Sequence, residues 1–280
     1  MALTRRGRVT VATGLLVLIG LVVAYVLLRT PLGTVLGLRA GPPCTVTVSG
    51  NTFDWSAEHA MTATTVAGVG TRIGASVNGV AEAVDRGLTT LEGRDPPQSV
   101  SPREARSIYR ALPDVATPDE EAIGIAEALL GYDGDALTCA VPLQPDLARE
   151  EPGELGLTPR ADVLRTEMRA VFGKQVLGGF SPEGVRSGHI DGSAHYEGRA
   201  VDVFFRPVSQ VNQRLGWQLA QWSVAHAQRL GLATVIFDRR LWTATRSLEG
   251  WRDYRHPDGD TANPVLLHED HVHLDVIEGR

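Results

Sequence analysis

Two short stretches of the chain contain histidines and aspartates at spacings that suit a metal site. The first, SAHYEGRAVD, covers residues 193–202 and places His195 seven residues before Asp202. The second, HEDHVHLD, covers residues 268–275. A catalytic zinc takes three protein ligands and keeps a fourth position for water or substrate, and histidine and aspartate are both suitable ligands. If the two stretches meet in the fold, the chemistry to expect is therefore that of a zinc site.

Strand geometry favours this convergence. His271 and His273 are two residues apart in HVHLD, so on a β-strand their side chains point to the same face. Asp202 lies in a second apolar stretch that predicts a strand, and Gly198 permits a turn between His195 and that strand. If the two strands are neighbours, His195, Asp202 and one of the two later histidines converge.

These motifs resemble those of a known superfamily. The pattern S-x-H-x-x-G-x-A-x-D, read from Ser193 to Asp202, resembles the signature of zinc D-Ala-D-Ala carboxypeptidases and hedgehog-type domains. The segment D-H-V-H-L-D resembles the second motif of that superfamily, which includes the lysostaphin-type metallopeptidases. The resemblance covers roughly residues 160–280, and within it the C-terminal tail is most similar to a domain of uncharacterised membrane or secreted proteins of actinobacteria.

The resemblance implies a Zn²⁺ cofactor with His195, Asp202 and His273 as its ligands. It also implies two candidates for activating water. Asp270 lies at the position of the carboxypeptidase acid, three residues before the last ligand, and His271 is the first histidine of H-x-H. A general base must reach the water whose pKa zinc lowers, and both residues flank the last ligand. The sequence leaves the choice between them open.

The residues that bind substrate are less clearly marked. The carboxypeptidases carry an arginine shortly before the first motif that binds the carboxylate of the substrate, and Arg186 is the candidate here, although its spacing departs from the pattern. Trp242, in the segment RRLW, is a second candidate for substrate binding. The other tryptophans of the C-terminal half are expected in the core. The remaining histidines of this region are expected in loops or at the surface: His189, His226, His256 and His268.

The N-terminal residues predict a membrane anchor. Residues 9–28 are uncharged and mostly apolar, and as a helix they would be about 30 Å long, the thickness of a bilayer core. Arg5, Arg6 and Arg8 precede them, which predicts a single-pass plasma-membrane protein with a cytoplasmic N-terminus and an extracytoplasmic C-terminal domain. The alternative is a cleaved signal peptide, but its apolar region is usually only about 7–15 residues long.

Charge and cysteine content narrow the possible partners and the compartment. Once the three N-terminal arginines are set aside, the chain carries 24 basic and 33 acidic residues, a formal charge of −9, which argues against nucleic acid as a partner. Cys44 and Cys139 are the only cysteines, and in an oxidising compartment they are expected to form a disulfide. The alternative is two free buried thiols.

Hydrophobic spacing predicts a small, mostly helical module before the C-terminal domain. Apolar residues spaced three or four apart from Val66 to Leu91 predict one face of a helix. Two more helix starts combine a cap, a proline and a glutamate: Ser101, Pro102 and Glu104, and Thr117, Pro118 and Glu120. Glu120 and Glu121 are therefore interpreted as residues of a first helical turn and not as glycosidase acids.

The sequence thus predicts an α+β fold class with an N-terminal transmembrane helix, a helical module and a C-terminal antiparallel-sheet zinc-peptidase-like domain. The predicted boundaries are a cytoplasmic tail 1–8, the transmembrane helix 9–28, a linker 29–43, the module 44–141, a second linker 142–159, and the C-terminal domain 160–280. The predicted function is that of a membrane-anchored, extracytoplasmic zinc peptidase, a hydrolase acting on the stem peptides of peptidoglycan in the cell wall. The alternative is a non-catalytic cell-wall-binding or scaffold protein with a degenerate peptidase fold.

Overall fold

The computed structural model describes residues 43–96, 98–114, 117–142, 146–257, 259 and 261–280. Within these ranges no helix is both long and apolar enough to cross a membrane. The predicted fold class with a transmembrane helix is therefore corrected to an α+β fold with antiparallel sheets. The predicted span, residues 9–28, lies outside the described residues.

The strands found in these ranges form two antiparallel sheets. The smaller sheet has the order β2-β1-β3, and the larger sheet has the order β4-β5-β9-β6-β7-β8. The strands are β1 (Cys44–Val48), β2 (Asn51–Trp55), β3 (Leu137–Cys139), β4 (Val176–Gly178), β5 (Ala200–Phe204), β6 (Leu232–Phe237), β7 (Arg240–Thr243), β8 (Arg252–Asp253) and β9 (His271–Val276). The last strand in the chain therefore lies inside the larger sheet, between β5 and β6.

The helices come mainly from the first half of the described chain, with a long helix between β5 and β6. They are α1 (Ala57–Ile73), α2 (Val77–Glu92), α3 (Pro102–Arg110), α4 (Glu120–Leu129), α5 (Pro159–Phe172), α6 (Gln210–Ala225) and α7 (Ala227–Leu230). Two 3₁₀ helices, Ala194–Glu197 and Ala244–Glu249, complete the described elements.

Local capping explains where the predicted helices differ from the observed ones. The helical face predicted from Val66 to Leu91 is divided between α1 and α2, because Gly74 adopts a left-handed conformation that ends α1 and Ser76 caps α2. The start of α3 at Ser101 is as predicted, with a complete capping box. Helix α4 begins at Glu120 with Asp119 as its cap, two residues later than expected.

The described residues from Pro43 onwards form one compact unit, in which the helices and the larger sheet share a core. Helix α1 packs against α6, and His226, which follows α6, is buried between them. Its Nδ1 donates to the carbonyl of Trp222 over 2.8 Å, and its Nε2 lies 3.4 Å from the hydroxyl of Thr65. Burial and then the nearby charge of Arg229 lower the pKa of His226 to about 3. His226 thus lies in the turn between α6 and α7, as one of the two predicted alternatives, but it is a core residue and not a surface one.

Two buried tryptophans connect the larger sheet to the smaller one. The indole of Trp242 is fully buried and donates to the carbonyl of Cys139 over 3.2 Å. The indole of Trp251 donates to the carbonyl of Leu137 over 2.9 Å. Both acceptors lie on β3. Trp242 is thus a core residue, and this position corrects its prediction as a substrate-binding side chain.

The predicted disulfide is confirmed. Cys44 begins β1 and Cys139 ends β3, and the two residues are register partners in the smaller sheet. Their bond closes a loop with a sequence separation of 95 residues, which contains α1 to α4. The pairing of β1 with β3 brings the two cysteines together, so the disulfide reinforces a contact that the sheet already makes.

We expect the double substitution Cys44→Ser with Cys139→Ser to lower the free energy of unfolding by about 4–5 kcal/mol, because the bond restricts a long loop of the unfolded chain. Urea unfolding of the oxidised wild type and the double variant measures the difference. Peptide mapping without reduction serves as the control and should give one linked pair. Equal stability of the two proteins, or free thiols in the oxidised wild type, would contradict the expectation.

Candidate metal centre

The pairing of β5 with β9 brings the two histidine-containing stretches together. In this antiparallel pair Asp202 lies opposite His273, and Phe204 lies opposite His271. Residues directly opposite each other in an antiparallel pair project their side chains from the same face of the sheet. Asp202, His271 and His273 therefore share one face at the centre of the larger sheet.

His195 reaches this face from the 3₁₀ helix that precedes β5. The backbone N–H of His195 donates to the Ser193 hydroxyl, which begins the turn. Gly198 ends it with a φ of 65°, a left-handed conformation that glycine adopts without strain. The turn that the sequence predicts between His195 and the strand is therefore made at Gly198.

Three side-chain atoms meet in a nearly equilateral triangle. Nε2 of His195 lies 3.1 Å from Nδ1 of His273 and 3.3 Å from Oδ1 of Asp202, and Nδ1 of His273 lies 3.2 Å from Oδ1 of Asp202. Zinc bonds of about 2.0–2.1 Å in a tetrahedral site place neighbouring ligand atoms about 3.3–3.4 Å apart. The triangle thus has the dimensions of three ligands around one zinc ion.

Hydrogen bonds behind the triangle direct both histidine lone pairs towards its centre. Nδ1–H of His195 donates to the carbonyl of Gly179 over 2.7 Å, which leaves Nε2 with a lone pair in the neutral ring. Nε2–H of His273 donates to the carboxylate of Asp275 over 3.3 Å, which leaves Nδ1 for a ligand bond. Carboxylates and backbone carbonyls commonly orient metal-binding histidines in this way.

The electrostatics of the triangle favour a cation at its centre. Burial alone would raise the pKa of Asp202, but the contacts with His195 and His273 outweigh burial and hold its pKa well below the usual range. Burial alone would lower the pKa of His273, but Asp202 and Asp275 raise it to about 9. A positive charge on His273 is therefore favoured beside the two carboxylates, and a metal ion bound by Nδ1 would supply that charge in place of a proton.

Asp270 and His271 form a chain of contacts that ends beside the triangle. Nδ1–H of His271 donates to Oδ1 of Asp270 over 2.7 Å, and the other carboxylate oxygen accepts from Nε of Arg206 over 2.6 Å. Nε2 of His271 lies 3.9 Å from Oδ1 of Asp202. Both carboxylate oxygens of Asp270 thus bond to His271 and Arg206 and not to the triangle. The imidazole of His271 lies between Asp270 and the triangle.

Three histidines that the sequence places in loops or at the surface lie around this site: His189, His256 and His268. His189 stacks on His195 with ring centroids 4.0 Å apart, and its ligand nitrogen lies within 4.8 Å of a ring nitrogen of His195 and a carboxylate oxygen of Asp202. The two rings are tilted by only 22°, so their in-plane lone pairs run side by side and do not meet at one point. We therefore favour His273 over His189 as the third ligand. The ring of His268 lies 4.7 Å from that of His271, and burial and the neighbouring histidines lower the pKa of His268 to about 2.

The site opens into a pocket of about 620 Å³. Four predicted site residues line it: His195, Asp202, His271 and His273. Asp270 lies behind His271 and outside the lining. Arg186 is exposed and also outside the lining, whereas Arg206, four residues after Asp202, does line the pocket. The arginine at this pocket therefore follows the first motif and does not precede it.

Comparisons with known proteins add one match. A family model described as "VldE, C-terminal domain" matches residues 153–265. These residues include His195 and Asp202 but end before β9, and the match does not by itself indicate a zinc peptidase. No curated protein and no solved structure matches the chain significantly.

Gly179 is a site residue that no sequence motif marks. Its carbonyl accepts from His195, and its φ of 78° is left-handed. A Cβ atom at this position would overlap the imidazole of His195. Gly184, in the following loop, has a similar φ of 75° but has no atom near the position of a Cβ. A substitution at Gly184 should therefore cause backbone strain alone, whereas the same substitution at Gly179 should cause backbone strain and a clash with His195.

We expect Gly179→Ala to destabilise the protein more than Gly184→Ala. Both substitutions place an alanine in the left-handed region at a cost of about 1–2 kcal/mol. Only Gly179→Ala also forces a side chain against His195, which adds about 1–3 kcal/mol. Urea unfolding of both variants measures the difference in free energy. Equal losses in the two variants would show that His195 is not held as closely as described.

Proposed function

We propose that this protein is a zinc-dependent hydrolase of amide bonds that acts on the stem peptides of peptidoglycan. The triangle formed by His195, Asp202 and His273 carries this proposal, because its edges and its inward lone pairs suit one zinc ion. Zinc bound there would supply a Lewis acid for a carbonyl group and water activated near neutral pH. The resemblance of the two motifs to zinc peptidases that act on cell walls supports the choice of substrate.

The disulfide supports the compartment that this substrate requires. Disulfides persist in oxidising environments outside the cytoplasm and are rare inside it. The bond between Cys44 and Cys139 therefore favours an extracytoplasmic location, where cell-wall peptides are found. The acidic balance of the chain agrees with a partner other than nucleic acid.

The geometry favours His271 over Asp270 as the group that takes a proton from water. Because Nδ1–H of His271 donates to Asp270, Nε2 is the ring nitrogen left to accept a proton, and His271 lines the pocket. Asp270 orients this ring through that bond, and Arg206 donates to the second carboxylate oxygen of Asp270 and so holds it in place. In this proposal His271 is the general base and Asp270 is a positioning residue.

We expect the wild-type protein to bind one zinc ion per chain, and His195→Ala or His273→Ala to abolish stoichiometric binding, because two ligands remain in each variant. Asp275→Ala should weaken zinc binding by roughly 10–100-fold through the loss of the bond that orients His273. Metal analysis after dialysis and competition with a chelator measure both effects. His59→Ala, on α1 and outside the pocket, is the matched control. Full zinc binding by His195→Ala would disprove the ligand assignment.

We expect His271→Ala and Asp270→Asn each to keep zinc and to lower peptidase activity by roughly 10²-fold or more, the usual scale for losing a general base. Because Asp270 acts through His271, the double variant should be no less active than His271→Ala alone. Digestion of muropeptides by the four proteins measures these rates.

A further loss in the double variant would mean that Asp270 acts on the substrate or on water directly. A wild-type protein that binds zinc but cleaves no stem peptide would favour the alternative, a non-catalytic protein that binds the cell wall.

A further inference from the structure

Exposed aliphatic side chains surround the mouth of the metal pocket. Ile190 is 44% exposed, Val265 is 44% exposed and Leu266 is 38% exposed, and all three line the pocket. Ile236 lines it too and lies opposite His273 in the pairing of β6 with β9. Aliphatic groups therefore extend from beside a proposed zinc ligand out to the solvent. Exposed apolar side chains that line one pocket are typical of a ligand-binding site.

The first loop of the mouth is tied to the metal-binding turn. The Tyr196 hydroxyl accepts from the backbone N–H of His189 over 3.0 Å and donates to the carbonyl of the same residue over 2.5 Å. The backbone N–H of Ser193 donates to the carbonyl of Ile190 over 3.1 Å. Hydrogen bonds thus fix both the residue before Ile190 and the carbonyl of Ile190 itself. One of the partners, Tyr196, directly follows His195.

The second loop is held by bonds within itself. The N–H of Val265 donates to the side chain of Asn263 over 3.0 Å, and the N–H of Leu267 donates to the carbonyl of Asn263 over 3.1 Å. The N–H of His268 donates to the carbonyl of Val265 over 3.2 Å. Hydrogen bonds therefore hold both loops in positions that expose their aliphatic side chains to water. This exposure costs free energy, which a ligand that covers the side chains would recover.

The charged residues of the pocket indicate what kind of ligand group would cover these aliphatic side chains. Among the described residues that line it, Arg206 is the only arginine or lysine, and Asp202 and Asp275 are the only acids. Both acids contact His273. The carboxylates of the lining thus contact the metal centre, and Ile190, Val265 and Leu266 add aliphatic surface to the same pocket.

We propose that the pocket takes substrates in which an aliphatic group larger than the methyl of alanine lies next to the carbonyl at the metal, in contact with Ile190, Val265 and Leu266. This inference rests on the proposed function, because the zinc site fixes which end of the substrate lies at the floor. A volume of about 620 Å³ leaves room for such a group and exceeds what an alanine side chain requires.

Two binding series test this proposal on the whole protein. The zinc-loaded protein is titrated with acetohydroxamate, butyrohydroxamate and hexanohydroxamate, and the affinity should rise about two- to fourfold for each added methylene. In Ile190→Ser and Leu266→Ser this increase should shrink, while the affinity for acetohydroxamate stays unchanged. Val163→Ser, an exposed valine on α5 outside the pocket, should behave as the wild type.

The second series uses the metal-free protein and separates this inference from the zinc assignment. N-acetylleucinamide should shift the methyl NMR resonances of Ile190 and Leu266 at concentrations at which N-acetylalaninamide does not. If the protein binds no zinc and no hydroxamate, the proposed function fails and this series alone decides the inference. Affinities independent of chain length, an unchanged increase in both serine variants, or equal shifts with the two amides would each overturn it.

Discussion

The register of β5 against β9 is the constraint on which the metal centre depends. It sets Asp202 opposite His273, and a slip of one residue would turn every side chain of one strand to the other face. Burial fixes this register, because the alternate residues of both strands are buried apolar side chains in the core: Val201, Val203, Val272, Leu274 and Val276. A slip would exchange these side chains for histidines and aspartates, so the core and the site specify the same pairing.

The pairing places several buried polar side chains on one face of the sheet. Asp202 and Asp275 are two carboxylates on one face, and His273 bridges them. Burying charge is costly unless it is paired, and here the contacts with Asp202 and Asp275 raise the pKa of His273 to about 9 against the effect of its burial. The contacts of His195 with Gly179 and of His273 with Asp275 therefore have two effects. They satisfy buried N–H groups, and they leave ring nitrogens at one point where a bound cation would compensate the carboxylates.

The sequence predicts those parts of this site that depend on local structure. Alternation in HVHLD and the turn at Gly198 are local, and both are present in the structure. Features set by tertiary contact could not be read in the same way. A loop places His189 against His195, and the packing of α1 on α6 buries His226. Trp242, on the larger sheet, donates to the carbonyl of Cys139 on the smaller sheet. Asp275 is an intermediate case, since its spacing of two residues from His273 already places both on one face.

The family match includes some residues of the proposed metal site and leaves out others. The match covers residues 153–265, which supply His195, Asp202 and Gly179. It ends before β9, which supplies His271 and His273. Two ligands with one orienting carbonyl make only part of a zinc site, because a catalytic zinc usually takes three protein ligands. The chemistry proposed here therefore depends on the last strand entering the sheet between β5 and β6, and on the pairing that completes the triangle.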